Sequence, residues 1–170
     1  MATELGGIVA VCGEELGAEF GVDDVGLMQE AITESRKVAG DTGDNPAVGC
    51  VVVKDGAVVA RGATQPPGGP HAEVRAIEAA EAAGHGIADC EFFVTLEPCT
   101  FQGRTPPCST LLVDKRPRRV VVGIRDPHPL VRGAGIAELR GAGIEVVEGV
   151  LAEEISGLLA AWIERYSRQA

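Results

Sequence analysis

The chain has 170 residues, 45% apolar and 24% charged, which is enough for one domain with a packed core and excludes wholesale disorder. Its formal net charge of -10 opposes a phosphate backbone and aromatics make up only 4%, so nucleic acid is not an expected partner. No apolar run approaches the roughly 18 to 20 residues of a membrane helix. The short apolar patch from Ile8 to Cys12 has Glu4 and no basic residue before it, so no secretory signal is expected either. Five cysteines, an odd count, fit no complete disulfide framework. They read as thiols or metal ligands of a cytoplasmic protein.

In chain order, residues 1–22 read as an N-terminal extension, with a loose helix across 14–20, and residues 23–170 as one domain. A helix signal begins at Asp24. Leu27, Ala31, Ser35 and Val38 recur near helical spacing, Asp23 or Asp24 is the expected N-cap, and the helix stops before Gly40. Two β-branched runs, 47–53 and 57–60, flank Lys54-Asp55-Gly56 and predict a β-hairpin. After a Gly- and Pro-rich loop, a helix is predicted from His71 to about Ala83, with Val74, Ile77 and Ala80 or Glu81 in register and Pro70 in its first turn. Strands then alternate with helices: strand 92–96, helix 105–113, strand 119–124, helix 131–142, strand 144–147 and helix 152–166. In the last helix Ile155, Leu158, Leu159, Trp162 and Ile163 form an apolar stripe, read as core ahead of interface. The basic run from Lys115 to Arg119 reads as a solvated connection. The alternation predicts parallel pairing with right-handed crossovers, so the class is α/β with a mixed five-stranded sheet.

Three segments carry chemistry. Pro70-His71-Ala72-Glu73 opens a helix, Leu96-Glu97-Pro98-Cys99 follows a strand, and Gly103-Arg104-Thr105-Pro106-Pro107-Cys108 opens the next helix. Alone, His71 reads as a surface histidine and Cys99 as a buried thiol. Together, one imidazole and two thiolates make a three-ligand zinc site whose fourth position stays open, the catalytic pattern. The cation would acidify water there, and helix N-termini would favour the thiolates of Cys99 and Cys108. Glu73 is the expected general acid–base, provided that the site lies at the helix end, since positions i and i+2 diverge on a regular helix. His-x-Glu followed by Pro-Cys and a later Cys is the pattern of zinc deaminases. Cys50, inside a β-branched run, reads as core; Cys12 and Cys90 lie outside the pattern.

Eight residues separate Cys99 from Cys108, where cytidine and tRNA adenosine deaminases generally use Pro-Cys-x-x-Cys. That spacing closely resembles the deaminase domain of the riboflavin-biosynthesis deaminase/reductase family. So do Asn45-Pro46-Ala47-Val48-Gly49-Cys50, Thr95-Leu96-Glu97-Pro98-Cys99 and Asp126-Pro127-His128-Pro129-Leu130-Val131. The resemblance runs from about Asp24 to Tyr166. It implies a cytidine-deaminase-like three-layer α/β/α sandwich, zinc on His71, Cys99 and Cys108, and proton transfer by Glu73. It also implies Asn45 and Thr105 facing the substrate, Arg104 near a substrate phosphate, and Asp126 near the ribose. The implied reaction is deamination of a phosphorylated diaminohydroxy-phosphoribosylaminopyrimidine, and a homodimer or larger homo-oligomer is expected. The sequence departs from the family at Phe101 and Thr64, where His is common, and at His128, where Asn is common. These three substrate-loop positions motivate the alternative of another amino-heterocycle as substrate. No reductase half follows the last helix, so nicotinamide chemistry is not expected here.

Overall fold

A computed structural model describes residues 22–103 and 105–169. Residues 1–21 of the predicted N-terminal extension, with the 14–20 helix and Cys12, and Arg104 lie outside the described residues, while residue 22, the extension's last, belongs to the first helix.

The predicted hairpin is β1 (Gly49–Lys54) and β2 (Ala57–Ala63), turning through Asp55 and Gly56 at φ 51° and 78°. β3 (Glu91–Leu96) pairs antiparallel with the other edge of β1, and β4 (Arg119–Ile124) and β5 (Glu145–Glu148) add on in parallel. The sheet order is β2-β1-β3-β4-β5. The continuous run Cys50-Val51-Val52-Val53 fits β1, which is covered on both faces and buried throughout that run. Cys50 is core, as expected from the sequence.

Helices α1 (Val22–Lys37) and α2 (Ala72–Ala82) lie on opposite faces of the hairpin. A Cβ on Gly49 would stand 1.9 Å from the Ala31 carbonyl oxygen of α1, and one on Gly62 would stand 2.2 Å from that of Ala72 in α2. Gly62 pairs with Cys50, the neighbour of Gly49, so the two glycines face opposite sides. The other helices are α3 (Cys108–Lys115), α4 (Ala134–Gly141), α5 (Ala152–Leu158) and α6 (Ala160–Ser167). α5 joins the α1 layer, where Gln29 and Arg36 donate to Glu154. α3 joins α2 through Lys115 and Glu81, and α4 through Ser109 and Glu138. The result is the three-layer sandwich. Among the described residues no helix is long and apolar enough to cross a membrane.

Several boundaries differ from the periodicity. α1 opens at Val22, so Asp23 and Asp24 sit inside its first turn; Asp24 takes a two-pronged bond from Arg119 at 2.8 and 2.7 Å. The buried stripe of α1 is carried by Met28, Ala31, Ile32 and Ser35. His71, with extended dihedrals, is the N-cap of α2, so Pro70 lies outside the first turn. α3 starts three residues late because a residue before proline avoids helical dihedrals, and Pro106-Pro107 imposes that twice. α4 starts at Ala134, after a turn that puts Gly133 at φ 93°. The predicted last helix is two helices, broken at Leu159, where φ is -102° and ψ 19°. Ile155 and Leu159 are core and Trp162 and Ile163 pack against it, but Leu158 is exposed. The basic run is ion-paired rather than merely solvated: Lys115 meets Glu81, Arg118 meets Glu91, and Arg119 meets Asp24 and Glu91.

Candidate active site

The antiparallel hairpin brings the start of β1 and the end of β2 to the end of the sheet where β3 and β4 finish. Ligands of open α/β sheets bind outside those carboxyl ends. Here the chain delivers Asn45 and Val48 before β1, Thr64 after β2, Cys99 after β3 and Asp126 after β4. All five line one cavity of about 580 Å³.

His71, Cys99 and Cys108 converge at this cavity. Their ligand atoms all lie within 4.8 Å of one another. His71 Nδ1 is 3.6 Å from Cys99 Sγ and 3.4 Å from Cys108 Sγ. A tetrahedral zinc with ordinary Zn–S and Zn–N bonds spans S···N edges of about 3.5 Å, so the donor set fits the ion in both chemistry and size. α3 aims its first amide at the site: Cys108 N–H donates to Cys99 Sγ at 3.4 Å, and Ser109 N–H donates to the Cys99 carbonyl at 3.1 Å. These two backbone donors are therefore spent on Cys99. Hydrogen bonds from the Cys108 thiol first, then from His71 and the Cys108 amide, pull the Cys99 thiol down to about 4 against its burial. The Cys99 contact also raises the pKa of His71.

Glu73 is buried in the first turn of α2, with its carboxyl against the Cys108 thiol. Burial first, then the charge of Cys99, pushes it up to about 7. Because the site sits at the helix end, His71 as cap and Glu73 in the first turn both line the cavity despite their i, i+2 spacing.

The cavity wall brings together Asn45, Thr64, Phe101, Thr105 and Asp126 of the expected substrate residues. Thr64 spends its hydroxyl locally, donating to the Pro46 carbonyl and accepting from Val48 N–H. His128 is not among the lining residues. It stands behind Phe101, stacked on it at 4.7 Å between centroids.

Two residues acquire roles that the sequence reading did not give them. Glu97 is 2% exposed, and its carboxylate takes backbone N–H bonds from Asp126 and Gly133 at 3.0 Å and from Ile136 at 3.2 Å. It caps the start of α4 from outside and anchors the loop of Asp126 to the strand end that carries Cys99. Trp162, read as core or interface, lines the cavity.

A three-layer fold with a mixed sheet, one imidazole and two thiols at its strand ends, and an adjoining buried carboxyl defines a zinc-type hydrolytic deaminase. The chain belongs to the family described as the cytidine and deoxycytidylate deaminase zinc-binding region, whose model matches residues 22–124. Among proteins, it is 44% identical over 118 residues to riboflavin biosynthesis protein PYRD, chloroplastic, of Zea mays, covering 69% of this chain and 29% of that one. The chain thus spans under a third of the length of such curated relatives. Among structures, it matches a diaminohydroxyphosphoribosylaminopyrimidine deaminase/5-amino-6-(5-phosphoribosylamino)uracil reductase of Thermotoga maritima at 40% identity and a TM-score of 0.80. That match covers 86% of this chain and 42% of the other. RibD of Acinetobacter baumannii matches at 40% identity and a TM-score of 0.79, over 85% and 40% of the two chains.

Proposed function

We propose that the chain hydrolytically deaminates the diaminohydroxy-phosphoribosylaminopyrimidine of riboflavin biosynthesis. The observation that carries this reading is the buried Glu73 carboxyl beside His71, Cys99 and Cys108, in a chain so similar to riboflavin-pathway deaminases. When bound on those three residues, zinc supplies a Lewis acid that makes water nucleophilic near neutral pH. Glu73 takes a proton from the attacking water and returns it to the ring's amino nitrogen, so that ammonia leaves and a carbonyl remains. Asn45 reads the edge of the pyrimidine. Arg104 and Thr105 serve the phosphate, a role that an arginine fork suits in an acidic protein. Asp126 serves the ribose.

The stack of Phe101 on His128 favours a second reading. Phe101 gives the cavity a flat apolar wall, which suits a different amino-heterocycle.

The test is ammonia release by zinc-loaded protein from the riboflavin-pathway pyrimidine generated in situ. Release is expected, and Glu73→Ala is expected to reduce it by about 10²-fold or more with the zinc content unchanged. No release from zinc-loaded, folded protein would move the assignment to another heterocycle. Undiminished release by Glu73→Ala would end the proton-transfer role.

A further inference from the structure

Away from the His71–Cys99–Cys108 end, α6 holds two of the loops that bound the cavity and reaches the loop of Phe101 through His128. Trp162 Nε1 donates to Asp126 Oδ1 at 2.9 Å. The Tyr166 ring lies 4.7 Å from that of His128, which stacks on Phe101. Arg165 donates to the Asp44 carbonyl at 3.0 Å and to its carboxylate at 3.2 Å, next to Asn45. α6 lies outside the residues 22–124 that define the family match, so the match says nothing about these contacts.

Asp126 is the informative partner. Its residue is 5% exposed and lines the cavity. Oδ1 accepts two donors, His128 N–H and the Trp162 indole, both at 2.9 Å. No hydrogen bond from a described residue reaches Oδ2. A charge-assisted bond from a rigid indole fixes the rotation of the carboxylate. A carboxylate held in that way loses less entropy when a ligand hydroxyl binds it.

We propose that α6 is a working part of the site, with Trp162 a positioning residue that turns Asp126 so that its second oxygen accepts a hydroxyl of the substrate's sugar. The proposal rests on the reading above that the substrate carries a ribosyl phosphate. Its test needs no turnover. Ribose 5-phosphate is titrated calorimetrically into the zinc-loaded wild type, Asp126→Asn, Trp162→Phe and the double variant. Phenylalanine keeps an aromatic ring there and removes the donor. Each single variant is expected to bind about tenfold more weakly, and the double no more weakly than either single. Unchanged affinity in Trp162→Phe overturns the proposal. Penalties that multiply in the double variant also overturn it, because they mean that Trp162 acts only by general support of the fold. A wild type that does not bind ribose 5-phosphate at millimolar concentration overturns it too. The ammonia assay is separate: the expected binding pattern without ammonia release sinks the substrate assignment alone, and release with no Trp162 effect sinks this inference alone.

Discussion

Glu97 shows what one buried carboxylate can organise. Oε2 serves the amides of Asp126 and Gly133 while Oε1 serves that of Ile136. Glu97→Gln replaces one acceptor oxygen by an NH2 group, which must then face at least one of these amides. The expected cost is about 1–3 kcal/mol in denaturant unfolding, since a buried donor left unpaired forfeits its solvation. A loss below a few tenths of a kcal/mol would show that the three bonds carry no net stability. That His71, Cys99, Cys108 and Glu73 gather in one place was legible in the sequence, because the chemistry read there asks for those residue types: two soft thiols, an imidazole and a carboxyl beside it. The job of Glu97 was not legible, although it stands inside one of the same motifs. Its partners are backbone amides 29, 36 and 39 residues away, and an amide leaves no mark on the identity of the residue that carries it. Asp126 was named from its motif, yet the indole that grips it lies 36 residues on and carried no such sign.

At the scale of elements, the site depends on where α2 begins. β2 admits α2 closely because Gly62 has no side chain. The atoms nearest a Cβ there are backbone, Ala72 O at 2.2 Å and Ala76 N at 2.5 Å. Backbone cannot rotate aside, so Gly62→Ala must push the helix away, and His71 and Glu73 with it. Zinc per chain, measured by elemental analysis, is expected to fall well below that of the wild type, with about 1–3 kcal/mol lost in stability. Full metal content in the variant would mean that the helix start tolerates the shift. The existence and order of the five strands and of α1 to α4 could be read from the periodicity and alternation of the sequence. Two positions could not. The Pro106-Pro107 pair delays α3, which puts Cys108 at its first residue. The break at Leu159 is invisible because Ile155, Leu159 and Ile163 keep their four-residue spacing straight through it, joined by Leu159 N–H to Ile155 O and Ile163 N–H to Leu159 O.

For the molecule as a whole, the net charge of -10 conceals a set of local ion pairs that close the sheet edges. At the β5 end Arg125 donates to Glu148 at 2.7 and 2.9 Å, with Arg140 at 3.4 Å. The Arg125 hydrogen bonds first, then the two positive charges, hold the Glu148 carboxyl below its usual 4.5. A carboxyl depressed by folding lends stability above its unfolded value, and that stability is lost as the pH falls through the folded one. Glu148→Gln is therefore expected to lower the thermal midpoint at neutral pH, with the difference from wild type shrinking as the pH drops below about 4.5. A difference that stays constant into acid would assign the effect to packing. The sheet's class followed from a hairpin succeeded by alternating elements, but its order did not. That β1 rather than β2 receives β3 shows only in burial: β1 is covered along almost its whole length, while β2 leaves Arg61 exposed at the edge.

The chain has one tryptophan and one tyrosine, and α6 places them 4.8 Å apart, with the tryptophan in the cavity wall. The ultraviolet emission of the entire protein is thus a report from one face of its cavity. No label need be attached to follow a ligand entering: the molecule carries its own lamp, already beside the door.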